Sequence, residues 1–265
     1  MENIIDTTNH SSTSIDKMTR LADDNDWSVR RTVAENPDTP AEVLVKLAMD
    51  EEWLVRLAVA GNTSAPSEVL MKLARDKAPD VRWGVSWNPN TPAEVLDKLA
   101  TDEYLDARCA VAGNQNSTAE TLIKLATDED WLVRRAVAAN TGAPAEVLDG
   151  LAVDENSDVR WAVAKNPGAS PDALDRLATN KDWRIRVTVA ENPSTPSNVL
   201  TKISRDGSKN VRLAVASNKN SPTEVLEKLA TDKSKDVRDA VKSNISTPEH
   251  IKVFLALEPA TKLIR

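Results

Sequence analysis

The arginine of the segment Val55-Arg56-Leu57-Ala58-Val59-Ala60-Gly61-Asn62 returns through nearly the whole chain at one fixed interval. It recurs as Arg30, Arg56, Arg82, Arg108, Arg134, Arg160, Arg186, Arg212 and Arg238, every step 26 residues. An asparagine six positions further on keeps the same beat, from Asn36 and Asn62 to Asn218 and Asn244. Nine copies without insertion or deletion exclude an ordinary globular fold. A period in the twenties to forties is one supersecondary unit that cannot bury its apolar face alone, so copies must stack.

Each copy reads as two helices. Thr39-Pro40-Ala41-Glu42 has the form of a capping box with proline at the first helical position. Thr91-Pro92-Ala93-Glu94 and Ser221-Pro222-Thr223-Glu224 repeat it, and Ser117-Thr118-Ala119-Glu120 keeps the box without the proline. Behind it, Val43, Leu44, Leu47 and Ala48 form the stripe of an amphipathic helix of about ten residues, helix A. Its outer face carries Glu42/Lys46, Glu68/Lys72, Glu94/Lys98, Glu120/Lys124 and Glu224/Lys228 at i, i+4, the spacing of helical ion pairs. An aspartate of the Asp50 type closes helix A in most copies, with Asn180 the exception. A second helix, B, follows from Trp53 to Gly61, with Asp26, Asp130, Asn156, Asp182, Ser208 or Ser234 as its N-cap. Asn-Pro-x-Thr-Pro then turns the chain into the next layer. The pattern predicts an all-α solenoid with a polar lead-in over 1–14, nine two-helix repeats over 15–248, and a capping helix and tail over 249–265. That last helix is expected to stop at Glu258-Pro259.

The unit Asn-Pro-x-Thr-Pro-x-Glu-x-Leu-x-x-Leu-Ala-x-Asp…Val-Arg-x-Ala-Val-Ala resembles the leucine-rich repeat variant family, a HEAT-like architecture. The resemblance covers residues 15–257. It implies a right-handed superhelix, a second helix that is 3₁₀ in places, and protein binding. Family prototypes carry a cysteine-bound iron–sulfur cluster at the N-terminus. Cys109 is the single cysteine here, so no such cluster and no other cofactor is expected.

The columns that do not recur point to function. Arg56 lies among core positions of helix B, so a buried arginine ladder bound to Asp50-type carboxylates and loop carbonyls is expected, rather than a phosphate stripe. The asparagine column reads as a second ladder tying loop backbones together. Three columns fall on the open arc of helix B: two before the arginine, one after it and five after it. The second helices of HEAT-like stacks line the concave side, so this arc is the expected groove. It holds Leu57, Asp80, Trp83, Trp87, Asp106, Cys109, Arg135, Asp158 and Trp161. Trp27, Trp53, Trp131 and Trp183 share another column, at the start of helix B, where packing over the turn is expected.

With 41 acidic against 34 basic residues and a net charge of −7, a nucleic-acid or anionic-membrane partner is not expected. No apolar run approaches the ~20 residues of a membrane span, and no secretion signal opens the chain, so a cytoplasmic protein is expected. No metal site and no Ser/His/Asp or Cys/His constellation is present, with His10 and His250 at opposite ends. The reading is a non-enzymatic, monomeric scaffold that binds a protein or peptide bearing basic side chains. Trp83, Trp87 and Trp161 would anchor it, with Asp80, Asp106, Asp158, Arg135 and Leu57 around them. A structural spacer or homo-oligomer is the alternative. A HEAT-like DNA glycosylase is a remote one.

Overall fold

The computed structural model describes the backbone of residues 15–261 and the side chains of 15–257, so the lead-in over 1–14 lies outside it. All regular structure among these residues is α-helical, B helices included, with no strand. In chain order the helices are α1 (Ile15–Leu21), α2 (Trp27–Glu35), α3 (Ala41–Leu47), α4 (Trp53–Gly61), α5 (Ser67–Leu73), α6 (Pro79–Trp87), α7 (Ala93–Leu99), α8 (Leu105–Gly113), α9 (Ala119–Leu125) and α10 (Trp131–Ala139). They continue as α11 (Ala145–Leu151), α12 (Ser157–Lys165), α13 (Pro171–Leu177), α14 (Trp183–Glu191), α15 (Ser197–Ile203), α16 (Lys209–Ser217), α17 (Thr223–Leu229), α18 (Lys235–Ser243) and α19 (Glu249–Thr261).

Contacts divide the chain into two units, Met1–Gly142 and Ala143–Arg265. In the first, the B helices α2, α4, α6, α8 and α10 pack one on the next; in the second, α12, α14, α16 and α18 do the same. Each A helix lies against neighbouring B helices. The core is aliphatic: Val43, Leu44 and Leu47 of α3 meet Val55, Val59 and Ala60 of α4, all buried. Fully burying one such leucine or valine contributes roughly 1.5–3 kcal/mol. None of the seven tryptophans belongs to this core.

The arginine ladder forms between layers. Arg56 grips Asp76 with Nε (2.6 Å) and Nη2 (2.9 Å), and its Nη1 donates back to the carbonyls of Asp50 (2.7 Å) and Glu51 (2.9 Å). The Asp76 carboxylate also accepts the Ala78 N–H at 2.9 Å, which shapes the A–B turn. The same bidentate grip joins Arg30 to Asp50, Arg82 to Asp102 and Arg108 to Asp128 in the first unit, and Arg186 to Asp206 and Arg212 to Asp232 in the second. Burial pushes the Asp76 carboxyl up, but the Arg56 bond, the Ala78 N–H and the flanking charges outweigh it and hold it below the usual carboxylate range. The asparagine ladder is equally regular. Asn88 Nδ2 donates to the carbonyls of Ala60 (2.7 Å) and Asn62 (2.9 Å) one layer back, while its Oδ1 accepts the Asn90 N–H (2.9 Å).

Several local expectations give way to contacts between parts of the layer. Helix A is seven residues long, because the chain leaves α3 through the tighter i→i+3 bonds of Met49 to Lys46 and Asp50 to Leu47. Thr39 does not cap it: the cap position is Pro40, and the Thr39 hydroxyl donates backwards to the Val33 carbonyl at 2.5 Å. Side-chain caps do form at Thr118 and Ser170, where proline does not occupy the cap position. At helix B, Asp26, Asp130, Asn156 and Asp182 cap as expected, whereas Ser208 and Ser234 make no side-chain cap bond. The five Glu/Lys pairs of helix A are not made. Lys46 instead crosses to Asp23 of the preceding layer, and Lys72 reaches the Met49 sulfur. Finally, α19 continues past Pro259 to Thr261.

Candidate functional site

The recurring columns are consumed by packing and by the two ladders, so what remains free is a stripe along helix B. The arc is wider than the three columns assigned to it. Trp53, Leu57 and Gly61 are spaced i, i+4, i+8 and therefore lie on one side of α4. The column at the start of helix B thus belongs to the same face. Trp27 is 37 %, Trp53 39 % and Trp183 43 % exposed, as open as Trp83 at 37 %, and Trp131 is half-buried, so these rings leave a face open beyond the turn. Every tryptophan of the chain stands on this stripe. The i, i+4 spacing of Trp53 and Leu57 was the signal that could have placed them there.

The first unit holds most of the expected site. On α6, Trp83 and Trp87 follow one another by one helical turn, and Trp87 is 67 % exposed. In the column of Trp87, the layers before and after carry Gly61 and Gly113, where even an added Cβ would meet nothing within 4 Å. The Trp87 indole consequently stands clear of side chains from its own column. Beside it, Trp87, Pro89, Gly113, Asn114 and Gln115 line a pocket of about 170 Å³. Leu57 is partly spent on packing: its Cδ1 lies 2.8 Å from the position a Cβ would take on Gly84, so that glycine makes room for it. Arg135 is exposed on α10 and has no carboxylate partner among the described residues.

Asp80 and Asp106 begin α6 and α8, one layer apart, and a residue not singled out from the sequence joins them. The Tyr104 hydroxyl donates to Asp80 at 3.5 Å. A bond with Asp106, burial and the charge of Asp80 together push the Tyr104 phenol up from its ordinary value. An aromatic residue in the cap column, where other layers carry Asp26, Asp130 or Asp182, is the trace it leaves in the sequence. Cys109 lies nearby on the same stripe. Burial, then Asp106, Asp130 and Asp128, push its thiol up to about 11, so it is no thiolate nucleophile at neutral pH.

Asp158 and Trp161 belong to the second unit, so the expected anchors are divided between the two. Asp158 is exposed, and its backbone N–H bonds the Asn156 cap at 2.8 Å. Trp161 is half-buried and already carries a cation, with Lys165 Nζ 5.2 Å from the ring centroid. It is therefore a weaker anchor than Trp83 or Trp87. Among the described residues, no group of His, Cys, Asp and Glu is placed to hold a metal ion, and no helix is long and apolar enough to cross a membrane.

Residues 27–52 and 210–234 match the family described as "Leucine rich repeat variant". Among solved structures, a leucine-rich repeat variant with a novel repetitive structural motif is similar at 27 % identity, with a TM-score of 0.62, over 82 % of this chain and 86 % of that one. An engineered protein matches at 19 % identity and TM-score 0.42 over 91 % of both chains. A structure of the Pds5–Scc1 complex matches at 13 % identity and TM-score 0.32, over 91 % of this chain and 47 % of that one. Neither of these two bears on function. No curated protein matches the sequence. By repeat sequence and by fold together, this chain is an all-α repeat protein similar to the leucine-rich repeat variant.

Proposed function

We propose that the chain is a non-enzymatic, monomeric, cytoplasmic scaffold whose helix B stripe binds a protein or peptide segment bearing basic side chains. One observation carries the reading: a chain with seven tryptophans puts none of them in its core and all of them on the same side of their own B helices. Buried aromatics ordinarily dominate core energetics. A fold that fills its interior with valine, leucine and alanine leaves indoles available as anchors, the residue type most enriched in interface hot spots.

Trp87 and its 170 Å³ neighbour pocket supply the apolar seat. Trp83, with Leu57 beside it, extends that seat along the layer. Asp80 and Asp106, bracketing the Tyr104 hydroxyl, supply negative charge at one end of the same helices, suited to a lysine or arginine beside the indoles. Arg135 orients the segment by repulsion of its cations. Asp158 and Trp161 form the corresponding patch of the second unit.

The test is a fluorescence-anisotropy titration of labelled lysine-, arginine- and leucine-containing peptides, or of a partner recovered from native lysate. Trp83→Ala and Trp87→Ala should each weaken binding by about 2 kcal/mol, roughly 30-fold. Asp106→Asn should weaken it more at low salt than at high salt. Unchanged affinity in both tryptophan variants would overturn the assignment. Light scattering across a range of concentrations checks that the free chain is monomeric.

A further inference from the structure

A second site lies in the first unit where α3 and α5 end and the turns lead into α4 and α6. A groove of about 940 Å³ runs between these layers. Its apolar surface comes from Met49 and Met71, which are 62 % and 37 % exposed. Four cations surround them: Lys72, Arg75, Lys77 and Lys98, all exposed. None has a carboxylate partner among the described residues. Glu68 and Glu94, four residues before Lys72 and Lys98, do not reach them, and the one polar neighbour Lys72 finds is the Met49 sulfur.

The carboxylates in the groove do not cancel this charge. Asp50 and Asp76 are gripped by Arg30 and Arg56 and are neutralised within the ladder. Glu51 alone is left to oppose four cations. The local sign is opposite to that of the chain, which is −7 overall. Lys72 and Lys98 stand in a column that is basic in most layers, as at Lys46, Lys124, Arg176, Lys202 and Lys228. To these the groove adds Arg75, where four layers carry threonine and Arg205 is the other cation, and Lys77, where four layers carry glutamate and Lys181 and Lys233 are the other cations; no other layer has a cation in both of these columns. One layer back, a groove of about 430 Å³ is lined by Asp23, Asp24, Glu51 and Lys46, with Lys46 paired to Asp23. Asp24 and Glu51 leave that side without an excess of positive charge.

We propose that this groove binds an acidic peptide segment, with carboxylates on Lys72, Arg75, Lys77 and Lys98 and an apolar side chain seated on Met49 and Met71. A bare polyanion would use the cations and leave the methionines idle. Flexible thioether side chains adapt to varied apolar partners, which suits a peptide. The site is independent of the tryptophan stripe, and charge complementarity sets both its specificity and its salt dependence.

The experiment uses the full chain and a fluorescein-labelled peptide of aspartate, glutamate and leucine, with inorganic polyphosphate as a competing probe. Binding should weaken about tenfold or more in the double variant Lys72→Glu, Lys98→Glu. It should also weaken severalfold in Met71→Ser, while Trp83→Ala leaves it unchanged. All four positions are exposed, and circular dichroism confirms that each variant is folded. Absence of binding, or equal binding by the charge-reversed variant, overturns the proposal. So does an affinity for polyphosphate matching that for the peptide together with indifference to Met71→Ser, which would make the groove a general polyanion patch.

Discussion

Arg160 makes half of the bonds its counterparts make. Its Nη1 donates to the carbonyls of Asp154 and Glu155 at 2.5 and 2.9 Å, as Arg56 does with Asp50 and Glu51. Its Nε is buried and has no hydrogen-bond partner. The cause is one atom. Twenty residues on, where the other layers present a carboxylate, stands Asn180, whose Oδ1 is already committed to the Asp182 N–H at 3.0 Å. Where the other layers place the oxygen that accepts Nε, Asn180 has its amide nitrogen, and a donor cannot accept from a guanidinium. Leaving a buried donor unsatisfied costs roughly 1–3 kcal/mol, so Asn180→Asp should stabilise the protein by about 1–2 kcal/mol. Urea denaturation should show a higher midpoint with an unchanged slope. The converse change, Asp76→Asn, strands the buried Arg56 and should cost about 3 kcal/mol. If Asn180→Asp leaves the midpoint where it was, the ladder is not the unit of cohesion described above.

At the scale of the element, what could be read in advance was whatever a single helix decides for itself. The extent of α4, Trp53–Gly61, follows directly from its apolar spacing, and the roles of the recurrent arginine and asparagine follow from their place among core positions. What escaped was decided by a neighbour. Thr39 has the sequence of a cap, yet a carbonyl across its own turn wins the hydroxyl. Lys46 has Glu42 at the favoured spacing, yet Asp23 lies within reach across the layer gap. Trp53 looked like turn packing because its column was judged by the turn it follows rather than by the helix face it begins. Tyr104 gave almost no signal, since its significance depends on two aspartates in different layers. The asparagine ladder shows how much such cross-layer bonds matter. Asn88 is 1 % exposed, and its side chain serves two carbonyls and one N–H. Asn88→Ala should cost about 2–4 kcal/mol, because three backbone groups lose their partner while little apolar area changes. Hydrogen exchange at the Asn90 amide should accelerate in the variant beyond what the global loss explains.

For the molecule as a whole, stability in a stacked array is close to a sum of layer terms and nearest-neighbour terms. Here much of the polar neighbour term passes through the Arg–Asp ladder. The carboxyls of Asp50, Asp76, Asp102, Asp206 and Asp232 are all held below the ordinary range. For the first four, burial opposes the shift and the arginine bond with its supporting N–H overcomes it; for Asp232 the Arg212 bond leads. A carboxyl whose folded pKa is depressed contributes stability that is fully present above its unfolded value, about 3.9, and is lost as pH falls through the lower folded value. The chain should therefore stay folded through the range in which free aspartates titrate, then unfold below it as the ladder is protonated. Loss of the remaining acidic charge, which leaves the 34 lysines and arginines uncompensated, adds repulsion in the same direction. The arginines, raised by the same bonds, keep their charge throughout. Circular dichroism at 222 nm against pH should place the transition below about pH 4. In Asp76→Asn it should lie at higher pH, because that variant starts with less stability to lose. A transition completed well above pH 4 in the parent protein would mean that the ladder carboxylates are not what resists acid, and that the aliphatic core alone holds the layers together.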